Sequence, residues 1–434
     1  MAIDLEDEYP GQVEPASAAY PFGKPKNQND PGDNTGFPWE EKVPQELFGF
    51  LHAALTEAGI VPSGTPDAAN ASQYLTALKT ILRTRLGDVS RVKQLSRASI
   101  NPPGSTELLR LRFLPARGVW FALAEDGISY FSNDRVNWVV NTDVDTSAGG
   151  LADYNDVAER PSDGRIVTFG NGTDTSRLVY SDGDLPITSW TSPTTPPPAT
   201  MVMHRVLWET INGQFIAVGD DGGTTKASVS ADGVTWATNN LGITGGGELF
   251  VAFSGTRIVV TTLDGQGAYS TNGTSWTTFA TPLPGGVRGI GYDATAQLFV
   301  MLGSRSTPDT RLVGATSPDG ITWTSLALES GSGANYMSPM GTGGVSGVAV
   351  GNGLWVLGIP SVAKSGSPDG VQKLLASPDQ GQNWYAAEYA NPSTGQVRDI
   401  TYGDGMFGLV RIGDVENVLF SAPDDTAPRL AWSQ

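Results

Sequence analysis

A box of the form Ser-x-Asp/Asn-Gly-x-x-Trp returns again and again beyond residue 107 of this chain, and no other feature limits its possible folds as much. Clean copies are Ser230–Trp236 (with Asp232 and Gly233), Ser270–Trp276 (Asn272, Gly273) and Ser317–Trp323 (Asp319, Gly320). Ser132–Trp138 and Ser377–Trp384 (Asp379) are near copies, and Ser181–Trp190 and Ser421–Trp432 are stretched ones. The boxes take seven of the eleven tryptophans, which chance placement would not produce.

Every box follows the same pattern. An apolar run (GVWFALA, GRIVTFG, GQFIAVG, TRIVVTT, QLFVMLG, GLWVLGI, GMFGLVR) comes first, then a second strand-like run leads into the box serine. Another short strand pattern lies upstream of each apolar run, as in VRGIGYDATA and VRDITYGDG. One unit is therefore four antiparallel strands, with the box as the turn between the third and fourth. Its Asp or Asn accepts turn amides, its Gly takes φ > 0, and its Trp packs between neighbouring sheets. Seven units stacked radially predict a mainly β fold over 107–434, a seven-bladed β-propeller of four-stranded blades. Because the last unit runs to the C-terminal LAWSQ, each unit is expected to own all four strands, with the first and last blades face to face and no borrowed strand.

The boxes resemble the Asp-box repeats of sialidases and related propellers. That resemblance speaks to fold, since the box lies away from the propeller centre. A sialidase would require an arginine triad, a Tyr–Glu nucleophile pair and an acidic acid/base. Arg112-Phe113-Leu114-Pro115 is only a loose echo of the family's opening motif, and Glu388 and Tyr389 are adjacent, so on a strand they point to opposite faces. No catalytic residue is assigned.

Arginines recur upstream of the apolar runs: Arg205, Arg288 and Arg398, with Arg110 or Arg112 in step, while other units carry Asp156, Glu248 and Val345 there. If these begin the inner strands, mixed charges ring the channel mouth. They either neutralise one another or form an anion or sugar subsite. Loop aromatics Trp208, Tyr336 and Tyr389 could stack on sugars or pack in the core. Loop acids Asp220, Asp221, Asp264, Asp309, Asp424 and Asp425 lack EF-hand spacing, and with His52 and His204 as the only histidines and no cysteine, no metal or other cofactor is expected. There is no P-loop, and no G-x-S-x-G elbow supports a triad at His204. A net charge of −18 disfavours nucleic acid and anionic lipid. No apolar run is long enough to cross a bilayer, and the acidic MAIDLEDEYPG start lacks the n- and h-regions of a signal peptide.

The first hundred residues are written differently. An extended Pro/Gly/Asp-rich arm (1–42) precedes a helical region (43–100). Leu47, Phe48, Leu51 and Leu55 share one helical face. A second helix, with Thr65 as N-cap and Pro66 at its first position, carries Tyr74, Leu78, Ile81 and Leu82. Such short helices bury too little surface alone, so their apolar faces are expected to meet other chains. The arm, then W-x8-F-G-F, then AGI-x-PSGTPD-x4-SQYL-x-AL is similar to the N-terminal region of tail fibre and receptor-binding proteins of tailed bacteriophages. The resemblance implies a homotrimer in the virion, made in the host cytoplasm. Its N-terminus would dock on other tail or baseplate proteins, and its head would meet a host glycan, pilus or outer-membrane protein. A glycan-degrading tail enzyme and a structural tail-tip component are the alternatives.

Overall fold

The computed structural model describes residues 13–14, 24–25, 50–56, 60–61, 72–82, 96–98 and 108–421, the last without 125–126, 142–152, 172–175, 246, 284–285, 305–311, 327–346, 360–372, 389–395 and 413–417. The chain divides into two units, Met1–Arg85 and Leu86–Gln434.

The larger unit is a seven-bladed β-propeller. The inner strands of blades 1 to 7 are Leu108–Leu114, Asp153–Glu159, Val202–Glu209, Leu249–Phe253, Val287–Asp293, Gly347–Gly351 and Gln396–Gly403. Each pairs antiparallel with the apolar strand that follows it, as Leu111 does with Ala122 and Ile400 with Leu409. These second strands read as continuous apolar runs because both their faces are covered; Val119–Ala124 and Ile258–Thr262 are buried at every position. The outer strands are solvent-facing, and Val139–Val140 of blade 1 is exposed.

The core is therefore divided into seven clusters, one between each pair of adjacent blades. At the closing joint, Trp120 meets Phe420 edge-on at 4.9 Å and Trp138 stacks on Phe420 at 6.5 Å, so the first and last blades do pack face to face. Close approach also fixes side-chain size on the inner strands. A Cβ on Gly351 of blade 6 would lie 2.0 Å from the Tyr402 ring of blade 7.

Two expectations are corrected. Blade 7 does borrow a strand: Ser96–Ala98 pairs antiparallel with Val418–Phe420, Val418 opposite Ala98. The unit assumed to supply its own fourth strand instead takes it from the far end of the sequence. Residues 96–98, read as part of the helical region, thus belong to the propeller sheet. Blade 2 has three strands, its fourth reduced to a single bridge between Tyr180 and Thr191. The segment that would supply it, SPTTPPPAT, lacks amide donors at three consecutive prolines.

In the smaller unit, Val13–Glu14 pairs with Lys24–Pro25, residues 50–56 are helical, and a helix spans Gln73–Leu82. That helix starts later than the Thr65 cap predicts: Ser72 is its cap, accepting the Leu75 amide at 3.0 Å. Ala54, Leu55 and Ala77 form a small core, with Tyr74 and Ile60 packed against it. Leu51 is half-buried, while Phe50, Leu75 and Leu78 stay exposed. Leu47, Phe48 and Thr65 lie outside the described residues, as do the side chains of Ile81 and Leu82. No helix among the described residues is long and apolar enough to cross a membrane.

Candidate functional site

The boxes are turns that also bind adjacent blades together. In blade 3, the Ser230 hydroxyl donates to Asp232 Oδ1 (2.9 Å) and accepts the Gly233 amide (2.8 Å). Asp232 Oδ1 then accepts the amides of Val234 and Thr235, and Trp236 Nε1 closes the turn on the Gly233 carbonyl at 3.0 Å. Asn272 and Asp319 repeat the serine and amide bonds with Ser270 and Ser317, and Asp379 with Ser377; Trp276 and Trp384 also close on the Gly273 and Gly381 carbonyls, whereas Trp323 Nε1 makes no such bond. Gly233, Gly273 and Gly320 have φ near +70°, and in the first box Arg135 takes that place at +66°. Backbone carbonyls of these boxes accept from the preceding blade: Asn272 from Gln214 at 2.8 Å, Asp232 from Arg165 and Asp319 from Arg257. The stretched boxes differ. Ser181 accepts only the Gly183 amide among box neighbours, and Trp190 is buried against blade 1. Ser421 accepts the Phe407 amide at 2.9 Å, and Trp432 lies outside the described residues. Trp138, Trp276, Trp323 and Trp384 pack into inter-blade clusters.

The ligand-sized space is elsewhere. A cavity of about 760 Å³ runs along the inner strands, lined by Arg110, Arg112, Arg205, Arg288 and Arg398 with Asp156, Glu248 and Asp399. Its volume falls in the ordinary range for small-molecule sites. A bulge near the start of five inner strands sets which residues share a level. Pairing skips one residue at Leu109, Asn155, His204, Arg288 and Arg398, so the next residues, Arg110, Asp156, Arg205, Gly289 and Asp399, are equivalent. The arginines expected in step are thus one residue out of step. Arg205 aligns with Arg110, whereas Arg288 and Arg398 align with His204. A period-two pattern carries no sign of an inserted residue, so the sequence hid this offset.

Most of the lining charge is consumed internally. Arg112 of blade 1 reaches Asp156 of blade 2 at 2.8 Å and Asp399 of blade 7 at 2.6 Å. Arg110 reaches Glu248 of blade 4 at 2.9 Å, and Arg205 of blade 3 pairs with the same carboxylate. Arg205 also lies over the Phe250 ring at 5.5 Å. Arg110 also lies 4.0 Å from Asp399, so three guanidiniums and three carboxylates form one chain across five blades. Burial alone would raise the Asp399 carboxyl, but Arg112 and Arg110 hold it below the usual range; Glu248 is likewise held low against burial by Arg205 and Arg110. Burial and the neighbouring Arg205 lower Arg110 to about 10, against the pull of Asp399 and Glu248.

Arg288 stands apart: it makes no ion pair or hydrogen bond with any described residue, and its Nε is enclosed by protein without a partner. Arg398 lines the same cavity. Trp208 lines it too, edge-on to Phe215 at 4.7 Å. His204 pairs with Asp220 at 3.0 Å, Asp264 is exposed, and Val345, Tyr336, Tyr389, Asp309, Asp424 and Asp425 lie outside the described residues.

Sequence reasoning missed a second set of acids. Glu159, Glu209 and Asp293 end the inner strands of blades 2, 3 and 5, fully or almost fully buried. Glu209 accepts the amides of Ile211 and Asn212, and Asp293 those of Thr295 and Ala296. Asp293 also accepts Trp355 Nε1 of the next blade at 2.7 Å. Glu159 accepts the Ala116 amide of blade 1 at 2.7 Å. Their signal was available, an acid followed within five residues by the Gly or Gln that opens the next apolar run.

No protein-family model and no curated protein matches the sequence. Among solved structures the chain is similar to one described as YCF48 bound to D1 peptide, with 12% identity and a TM-score of 0.53 over 76% of this chain and 95% of that one. It is also similar to the GH74 xyloglucanase from Xanthomonas campestris, with 14% identity and a TM-score of 0.52 over 76% of this chain and 54% of that one. At such identities the likeness is one of fold, and both neighbours agree with the seven-bladed propeller described above.

Proposed function

We propose that this protein is a receptor-binding tail protein of a tailed bacteriophage or related prophage, and that its propeller binds its ligand without cleaving it. The observation that carries the non-enzymatic reading is the state of the cavity carboxylates. Asp156, Glu248 and Asp399 are all engaged by arginines, and Glu248 and Asp399 are held in their ionised form. Glycoside hydrolysis needs one carboxyl that stays protonated to serve the leaving oxygen, beside a second ~5–9.5 Å away. The lining carboxyl whose acidity is weakened by burial is Glu159, but its side chain has no exposed surface and is spent on the Ala116 turn. A rigid ring with variable loops suits adhesion, and the Asp-box pattern supplies that ring.

The attachment half of the reading rests on the N-terminal resemblance. Exposed Phe50, Leu75 and Leu78 on the short helices support homotrimerisation, which buries apolar surface a single chain leaves open. Three heads would then convert weak single contacts into firm adhesion. The test is to measure the mass of the full-length protein in solution and its capture of surface fractions from candidate host bacteria, with reducing-sugar release followed alongside. A trimer that retains glycan, pilus or outer-membrane protein intact is the expected result. Sugar release would instead identify a glycan-degrading tail enzyme, and binding to tail proteins but to no host fraction would identify a structural tail-tip component.

A further inference from the structure

The channel is electrostatically lopsided. Blades 7, 1, 2, 3 and 4 contribute the chain of three arginines and three carboxylates. The described wall of blades 5 and 6 is built from Gly289, Ile290 and Gly347 to Val350, with Arg288 the charge it contributes. Gly289 and Gly347 let the neighbouring inner strands pack closely, Gly289 against Val348 and Gly347 against Ile400, and Ile290 and Val348 border the cavity. A guanidinium with an enclosed, unpartnered N–H beside open space is an unfilled demand for an acceptor, because a desolvated donor without a partner is costly. The three acids of the cavity network cannot answer it, being committed to Arg110, Arg112 and Arg205.

We propose that Arg288 is an anion-recognition residue, and that the cavity takes a sugar bearing one oxyanion group, a carboxylate or a phosphate ester. The oxyanion accepts from the guanidinium in a charge-assisted pair, while the C–H face of the ring lies on the Ile290 and Val348 wall. The requirement for a single, locally paired charge follows from the protein's own −18, which repels the further charges of a polyanion wherever they come within the ~8 Å screening length of its surface. This inference rests on the binding reading above and narrows it to acidic glycans.

The experiment titrates full-length protein, at physiological salt, with D-glucuronate, glucose 1-phosphate and glucose, read by isothermal calorimetry or ligand-observed NMR. Wild type is expected to bind at least one acidic sugar about tenfold or more tightly than glucose, and the stronger of the two acids identifies the natural group. Arg288→Gln should lose that preference, and Arg288→Lys should keep part of it. Equal binding of acidic and neutral sugars by wild type, or an Arg288→Gln variant that keeps the preference, overturns the proposal. Because free sugars are used, the two readings fail separately. Host-surface capture without acid preference sinks only the subsite, and acid preference without host capture sinks only the receptor role.

Discussion

Arg112 in the first blade donates to Asp399 in the seventh at 2.6 Å, across the joint where the ring closes. Asp399 also accepts the Leu111 amide at 3.2 Å, so one carboxylate fixes both the side chain and the backbone of the neighbouring inner strand. Asp399→Asn should therefore cost about 3–5 kcal/mol in denaturant unfolding, the range for stranding one member of a buried pair. Replacing both residues together, Arg112→Met with Asp399→Leu, should cost less than the sum of the two single changes, the loss of Arg112 from Asp156 being common to the double variant and the Arg112 single. A double variant as unstable as the sum of its parts would show that the pair is not energetically coupled.

Acid should unfold the propeller through its turns. The Asn137 amide and side chain hold Asp134 far below the usual carboxylate range; for Asp232 and Asp319 burial works the other way but is outweighed by turn amides. A depressed carboxyl contributes stability above its unfolded value of ~4, lost as pH falls through the folded one. His204, lowered chiefly by burial, has the same sign from a higher start, since the unfolded chain takes its proton near 6.5 first. Burial raises Glu159, which opposes the trend by favouring the fold once protonated. Melting temperature should thus be level above about pH 6.5, sag slightly below it, and fall steeply under about pH 4. Asn272 already fills the acid's place in one box, so Asp232→Asn with Asp319→Asn should keep the fold and flatten the acid limb.

Arg135 sits at φ +66° in the box position where three other units place glycine. A left-handed residue with a Cβ costs on the order of 1–2 kcal/mol. Arg135→Gly should raise stability by about 1 kcal/mol, less whatever its contact with Met406 contributes. Gly351→Ala should act in the opposite direction, costing about 1–3 kcal/mol by driving a methyl into the Tyr402 ring. Paired unfolding curves for the two variants check both signs.

Blade number, strand order and box position were legible because each rests on a local pattern: a serine, an acid or amide, a positive-φ residue and a tryptophan close in sequence. The candidate site was legible only as a set of arginines. Their level in the channel depends on bulges that leave no mark in residue order, and their partners lie far off, Asp399 being 287 positions from Arg112. Arg288 keeps its charge unmatched among described residues, and that follows from placement rather than composition. The strand Ser96–Ala98 was hidden for a similar reason, since three residues of SRA carry no periodicity that marks them as sheet.

That strand makes the last prediction. Without it, the edge of Val418–Phe420 would show unpaired backbone groups, a template for joining other chains. A chain beginning at Leu86 retains the strand, and one beginning at Ser99 does not, though both contain every box. The shorter one loses the pairing of three residues, worth roughly 0.5–1.5 kcal/mol per hydrogen bond, and gains an open edge. It should unfold at lower denaturant and form concentration-dependent oligomers by light scattering, while the Leu86 chain stays as stable as the propeller in the full-length protein. Equal stability and equal mass in the two chains would mean that the ring is held shut by the blade 1–blade 7 core and the Arg112–Asp399 pair alone, with the borrowed strand making no measurable contribution.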